Sequence, residues 1–293
     1  MLPCQKMLSR DGQKMRIIFI KIKKDLLLWE TKFSYGFMNS LIFLFYSFVL
    51  FSTLVSCATS YEKNTTDTLA VHTFRREYQN IHLVMGENGK YLMIDSGGYE
   101  SAPKLEKDFR SKGINPKDIE MIFITHGHWD HVAGAKYFQD KYKIPVLVGK
   151  KDEKLLNQGK SDKLCPTDFM AKSRLKEDES HTFQSPKVDK WIESETKLES
   201  LVGSKGRIVP LPGHTDGSLI LIIGKNVFVG DLFRGSLLGS KPEVHFYICD
   251  LQANREDIRK LLKIISPEAE YFYPGHFGPV IQKTEIMTKF EIQ

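Results

Sequence analysis

A single short segment, residues 126–131, constrains this chain more than any other. It places three histidines and one aspartate within six positions, directly after residues 119–125, whose apolar character predicts a buried strand. The helical spacing of residues 132–142 follows, so the segment occupies a strand-to-helix turn. Imidazole nitrogens and carboxylate oxygens are suitable ligands for a divalent metal, zinc above all. The segment therefore predicts a metal site built largely on one loop.

Four further motifs place the same residue types at the ends of apolar runs. They are Asp95 in residues 91–98, His214 in residues 211–218, Asp231 in residues 227–231 and His276 in residues 273–276. A lone Pro-Gly-His or Gly-Asp carries no functional information, so only the combination of these motifs is informative.

The order of apolar and helical patterns predicts the fold class. From residue 73 onward, short apolar runs alternate with helical spacing, which is typical of an α/β fold. The predicted strands are residues 81–85, 91–95, 119–125, 144–148, 207–211, 218–223, 226–230 and 271–273. The predicted helices are residues 102–112, 132–142 and 254–265. Residues 150–200 are polar with little periodicity, so we expect there either a flap over a site or a poorly ordered insertion.

Taken together, the five motifs resemble those of the metallo-β-lactamase superfamily of binuclear metallohydrolases over about residues 70–285. The resemblance implies a four-layer αβ/βα sandwich with the site at its edge, formed here by residues 70–293. The ligands that it implies are His126, His128 and His214 for one metal, Asp130, His131 and His276 for the other, and Asp231 between the two. It also implies a structural role near the ligand loop for Asp95.

Such a site carries a definite chemistry. Two divalent ions about 3.5–4 Å apart share a bridging water and lower its pKa, which supplies hydroxide as a nucleophile near neutral pH. We expect Asp130 to be catalytic as well, because a carboxylate at the metals orients that hydroxide and accepts its proton. We expect two zinc ions, with iron or manganese as alternatives because histidine and aspartate do not exclude them.

The substrate is less constrained than the reaction. The resemblance favours a small ester, thioester or lactone, since an aspartate at position 231 is unusual in true β-lactamases of this fold. The alternatives are hydrolysis of a β-lactam or a phosphodiester, or a surface-binding lipoprotein without activity, which the complete ligand set disfavours. Arg234 is a candidate for binding a carboxylate or phosphate, or else forms a salt bridge or faces solvent. His245 is a second candidate for facing the pocket.

The N-terminal residues predict export and attachment to a membrane. Residues 41–55 are apolar and match the hydrophobic region of a secretory signal. Leu-Val-Ser-Cys at residues 54–57 follows and resembles the lipobox of bacterial lipoproteins, whose cysteine, here Cys57, carries lipid. An uncleaved transmembrane anchor over residues 33–56 and a buried helix are the alternatives. We therefore expect a leader at residues 1–57, a tether at 58–69 and a body anchored outside the cytoplasm in the cell envelope.

Charge and cysteines complete the picture. Residues 1–57 hold eight of the 42 Lys and Arg and three of the 36 Asp and Glu, so the body holds 34 basic and 33 acidic residues. Because the body is nearly neutral, we expect a small-molecule substrate and no nucleic-acid partner. Cys165 and Cys249 form a disulfide or remain two buried thiols, and the sequence leaves both open.

Overall fold

Two β-sheets form the centre of this computed structural model, which describes residues 60–290 except 67–68, 200–204, 238, 240 and 279. The first sheet has seven strands in chain order: β1 (Ser60–Thr66), β2 (Leu69–Arg76), β3 (Gln79–Met85), β4 (Tyr91–Ile94), β5 (Ile119–Phe123), β6 (Val146–Gly149) and β7 (Lys190–Ile192). The second comprises β8 (Thr196–Lys197), β9 (Arg207–Pro210), β10 (Leu219–Ile223), β11 (Asn226–Gly230), β14 (Tyr271–Pro274) and β15 (Ile281–Gln282). A two-stranded ribbon, β12 (Arg234–Gly235) and β13 (Pro242–Glu243), follows β11 in the chain.

Helices cover the outer face of each sheet. They are α1 (Ala102–Ser111), α2 (Trp129–Tyr142), α3 (Glu153–Gln158), α4 (Phe169–Asp178), α5 (Leu251–Ile264) and α6 (Lys283–Lys289). One apolar cluster packs α1, α2 and α3 on the first sheet, and another packs α5 and α6 on the second. A third cluster lies between the sheets, where Phe123 and Phe228 are fully buried. The expected four-layer αβ/βα sandwich is therefore confirmed.

Burial explains why the apolar runs become strands. In the first sheet, β1 to β4 are antiparallel and β4 to β7 are parallel. The parallel strand β6 is buried along its whole length, as a strand covered on both faces must be. All eight predicted strands and all three predicted helices are found, most of them with shifted ends. The largest shifts are at α2 and α5, which begin three residues earlier than predicted, at Trp129 inside the histidine segment and at Leu251.

Residues 60–66 do not form the predicted tether. They form β1, which pairs along its length with β2, and Asn64 Nδ2 donates a hydrogen bond of 2.7 Å to Tyr273 Oη. The prediction was wrong here because it required apolar periodicity. An edge strand with a half-exposed face is held by backbone pairing, and its side chains need not be apolar.

The polar stretch at residues 150–199 is structured. It contains α3, α4 and β7, and β7 extends the first sheet by pairing with β6. Of the two alternatives for its cysteine, the structure has the disulfide: Cys165 is bonded to Cys249, with Cα atoms 4.8 Å apart. The stretch is thus fastened to the segment that precedes α5.

Within the described part of the chain, no helix is both long and apolar enough to cross a bilayer.

Candidate metal centre

The predicted ligands converge where strands of both sheets end. His126 and His128 follow β5, and His128 is the N-cap of α2. Asp130 and His131 lie in the first turn of α2, on the loop that the sequence singled out. The other three follow strands of the second sheet: His214 comes after β9, Asp231 after β11 and His276 after β14.

These side chains form two groups, and within each group the ligand atoms lie within 4.8 Å of one another. One group is His126, His128 and His214, and the other is Asp130, His131 and His276. Asp231 Oδ2 lies between them: it is 3.6 Å from His126 Nε2 and 3.7 Å from His214 Nε2, and also 3.3 Å from His131 Nε2 and 3.4 Å from His276 Nε2. The structure thus brings all seven predicted ligands together, in the two groups that the resemblance implies.

Unpartnered polar atoms show that the site fits metal ions. His126 Nε2 and Asp231 Oδ1 are buried, and neither has a hydrogen-bond partner among the described residues. A buried polar atom without a partner is costly, and a native fold rarely leaves several together without a reason. Neutral imidazole nitrogens facing a carboxylate are the donor set of divalent transition metals. The residues present therefore fit metal ions at both groups.

Burial keeps the first histidine group neutral. Burial is the largest cause of each shift: it lowers the pKa of His126 and His214 well below the usual value and that of His128 to about 4. Neighbouring imidazoles add to this effect, since each would repel a proton on another. A neutral imidazole has a free lone pair on one nitrogen, which is the form that binds a metal.

Carboxylates control the second group. Burial alone would lower the pKa of His131 and His276, but Asp231 and Asp130 outweigh it, raising the pKa of His276 to about 9 and that of His131 well above its usual range. His245, His276 and His131 hold the pKa of Asp231 well below normal, although burial on its own raises it. The centre therefore contains two ionised carboxylates that attract positive charge.

Asp95 orients one ligand from behind. Its Oδ1 accepts a hydrogen bond of 2.8 Å from the backbone N–H of Thr125, and its Oδ2 is 2.9 Å from His131 Nδ1. Because Nδ1 of His131 bonds to this carboxylate, Nε2 faces the centre. Such partners behind a ligand fix its ring and tautomer.

Asp152 is a supporting residue that the sequence did not reveal. It is 1 % exposed and accepts three hydrogen bonds, from Gly127 N at 2.7 Å, from Thr215 Oγ1 at 2.8 Å and from Gly217 N at 2.8 Å. Its carboxylate therefore joins the loop of His126 and His128 to the loop of His214. The sequence offered only two adjacent acidic residues after the β6 run, Asp152 and Glu153, with nothing to single out the first.

Gly275, in the Pro-Gly-His motif, leaves room for the centre. A Cβ atom at this position would lie 2.4 Å from Asp231 Oδ1 and 2.6 Å from His131 Cε1. Real Cβ atoms do not approach other atoms so closely, so any side chain here would displace two of the ligands.

The two candidates for substrate binding differ in their contacts. The Arg234 guanidinium stacks on Phe246, 4.1 Å from the ring centroid, and Nη1 donates to the carbonyl of Gly235 at 3.0 Å. Burial lowers the pKa of Arg234. The contacts described for Arg234 are thus with aromatic rings and backbone. His245, in contrast, enters the centre, with Nε2 at 2.9 Å from Asp231 Oδ2.

Known proteins are similar to this chain in sequence. The family model of the metallo-beta-lactamase superfamily matches residues 75–276. A hydroxyacylglutathione hydrolase of Haemophilus influenzae is 25% identical over 167 residues, which is 54% of this chain and 69% of that protein. A probable metallo-hydrolase of Methanocaldococcus jannaschii is 27% identical over 209 residues, 67% of this chain and 86% of that protein.

Solved structures share the fold. A metallo-beta-lactamase of Cronobacter sakazakii superposes with a TM-score of 0.56 at 16% identity, covering 81% of this chain and 93% of that one. The di-iron-bound form of TTHA1623 gives a TM-score of 0.50 at 25% identity, covering 72% of this chain and 93% of that one. The family model spans all five motifs, so the chain belongs to the metallo-beta-lactamase superfamily, and the two relatives above are named as a hydrolase and a probable metallo-hydrolase.

Proposed function

We propose that this chain is a hydrolase with two zinc ions that cleaves a small ester, thioester or lactone. The observation that carries the proposal is the position of Asp231, whose Oδ2 lies within 3.7 Å of ligand nitrogens from both groups. His126, His128 and His214 would hold one ion, while Asp130, His131 and His276 would hold the other. When bound, a pair of divalent ions lowers the pKa of water and polarises a carbonyl.

The protein's own residues supply orientation and proton transfer. Asp130 Oδ2 is 3.2 Å from His276 Nε2. The side chain of Asp130 is 16 % exposed, which is more than that of Asp231, the other ligand carboxylate. The nearby His131 and His276 lower the pKa of Asp130 although burial raises it, so the carboxylate remains ionised near neutral pH. We infer that Asp130 accepts the proton of the attacking water, while Asp95 and Asp152 keep the ligand loops in place.

The choice of substrate and metal rests on chemistry and on relatives. The hydroxyacylglutathione hydrolase of H. influenzae, by its name, cleaves a thioester, which supports thioesters within the proposed class. The metallo-beta-lactamase structures are less than 25% identical and show the fold alone. Iron remains the alternative to zinc, since TTHA1623 holds two iron ions.

We also propose that the protein works outside the cytoplasm, attached to a bacterial membrane through Cys57. The leader and Cys57 lie outside the described residues. The disulfide between Cys165 and Cys249 supports an oxidising compartment, because structural disulfides are rare in a reducing cytosol.

Metal content and a substrate panel test the function. We expect the full chain, purified in detergent, to contain close to two zinc ions by plasma emission. We expect it to hydrolyse one class within a panel of ester, thioester, lactone, β-lactam and phosphodiester substrates. Asp231→Ala removes the oxygen shared by both groups, so the variant should hold fewer metal ions and lose turnover by about 100-fold or more.

Asp140→Asn is the matched control, since Asp140 is exposed and pairs with Lys136 on the surface of α2. This variant should keep the wild-type metal content and turnover. A wild-type chain that holds no metal after reloading would contradict the proposal. So would an Asp231→Ala variant with two tightly bound ions and full activity.

A further inference from the structure

His245 is an imidazole in the centre to which none of the five motifs assigns a role. It is 4 % exposed, and its ring centroid lies 4.7 Å from that of His214 and 5.4 Å from that of His276. Its Nε2 and the ligand atoms of His214 and Asp231 lie within 4.8 Å of one another. An eighth ligand-type side chain therefore stands beside the shared carboxylate, and its role follows from the hydrogen bonds that its ring makes.

The backbone two residues later sets the tautomer of this ring. The N–H of Tyr247 donates a hydrogen bond of 3.2 Å to His245 Nδ1. The same Nδ1 lies 3.4 Å from the carbonyl oxygen of Tyr247, but the contact with the N–H is the shorter one. A backbone N–H only donates, so Nδ1 accepts and the ring carries a proton on Nε2. A protonated Nε2 has no lone pair with which to bind a metal. His245 is therefore a hydrogen-bond donor within a set of metal ligands.

That donor makes no hydrogen bond within the described part of the chain. Nε2 is buried and has no hydrogen-bond partner in the described part of the chain, although Asp231 Oδ2 is close to it. A buried N–H without a partner is costly unless something else in the site accepts from it. Because it stands beside the carboxylate that both metal groups share, it lies next to the place where a substrate would react.

We propose that His245 Nε2–H donates a hydrogen bond to the reacting oxygen of the substrate and stabilises the negative charge that develops on it. This inference rests on the proposed hydrolase function. When a nucleophile attacks an ester or thioester carbonyl, the π electrons move onto the carbonyl oxygen, which becomes an oxyanion. A fixed N–H donor in a water-poor site stabilises the oxyanion far more than it stabilises the neutral carbonyl. It therefore accelerates the reaction. No proton leaves His245 in this step.

The structured stretch at residues 150–199, which we call the insert, holds this donor in position. Thr167 Oγ1 donates to the carbonyl of His245 at 2.7 Å, and Thr167 N donates to the carbonyl of Phe246 at 2.8 Å. On the far side, Ile248 N donates to the carbonyl of Cys165 at 3.0 Å, next to the disulfide with Cys249. We call residues 245–249 the donor segment. Because a hydrogen-bond donor of this kind works only when it is rigidly placed, the insert contributes to catalysis by holding the donor segment.

Two substitutions of His245 in the full-length protein test the inference. His245→Ala removes the donor, whereas His245→Gln replaces it by an amide N–H. The matched control is His72→Gln, because His72 also bonds through Nδ1, to Tyr61 Oη, but lies on β2 outside the centre. The readouts are metal content, kcat and KM with p-nitrophenyl acetate and a hydroxyacylglutathione thioester, and calorimetric binding of phenylphosphonate, a tetrahedral oxyanion.

We expect His245→Ala to keep the wild-type metal content and KM while kcat falls by about 100-fold. Phenylphosphonate should bind about 10-fold more weakly, and His245→Gln should recover part of both losses. If His245→Ala lost one metal, His245 would be a ligand and the inference would be wrong. Unchanged kcat and phosphonate affinity would also overturn it. A wild-type chain without metal would overturn the proposed function itself, which separates the two failures.

Discussion

Asp152 touches neither group of ligand atoms, yet its carboxylate bonds both loops that carry the first histidine group. An asparagine at this position keeps the shape but has one acceptor oxygen, so its amide N–H would face either the N–H of Gly127 or that of Gly217. Leaving a buried donor unpaired costs about 1–3 kcal/mol. We therefore expect Asp152→Asn to lower the free energy of unfolding by this amount and the metal affinity by about 10- to 100-fold.

Urea unfolding of the metal-free chain and competition with a chelator measure these two quantities separately. Asp140→Asn, the same substitution at an exposed site, serves as the reference. If the Asp152→Asn variant matched this reference in both measurements, the carboxylate would not be what holds the two ligand loops together.

At single positions, the sequence predicted the residues whose chemistry admits few substitutes. Few side chain types bind a divalent metal, and histidine and aspartate at strand ends are among them, so all seven ligands were visible as motifs. Asp152 was not, because its role depends on two backbone N–H groups brought together from loops 90 residues apart in the sequence, Gly127 and Gly217. The role of His245 was also hidden, since its tautomer depends on the backbone conformation at Tyr247.

Among the elements, the insert and the donor segment form one unit. The disulfide joins positions 84 residues apart, and cross-links over loops of such length typically contribute about 2–4 kcal/mol of stability. We expect the double variant Cys165→Ser/Cys249→Ser to lose a comparable amount in urea unfolding. We also expect lower kcat with unchanged metal content, because the donor segment loses one of its attachments.

A double-mutant cycle separates the two effects of the disulfide. If the disulfide acts on catalysis through His245, then removing it in the His245→Ala background should leave kcat as it is in His245→Ala alone. An additional loss of kcat in that background would show that the disulfide affects the centre by another route.

Apolar elements were predictable to within a few residues, and polar ones were not. The strand at 226–230 is apolar and fully buried, and its predicted and observed bounds agree. By contrast, β1 and β7 owe their structure to pairing with neighbouring strands. The edge strand β7 is short and contains a lysine, so hydrogen bonds to β6 rather than its own pattern make it a strand.

At the scale of the whole molecule, charge separates the predicted leader, residues 1–57, from the rest of the chain. Five of the six net positive charges lie in residues 1–57, and the rest of the chain is nearly neutral. A basic start followed by an apolar run is the pattern of an exported protein, while the four-layer sandwich has its own buried core. We therefore expect substitutions in residues 1–57 to change membrane attachment without changing catalytic activity.

We expect Cys57→Ser to abolish labelling with a radioactive fatty acid in a bacterial host, because the thiol is the only group at that position that accepts the lipid. The purified variant should keep the wild-type metal content and kcat, since the centre is built from residues 95–276. Cys4→Ser, at the other cysteine of the leader, should keep the label. Persistent labelling of Cys57→Ser, or none in the wild type, would contradict the lipoprotein. An unlabelled wild type that stayed in the membrane pellet after a carbonate wash would favour the uncleaved anchor instead.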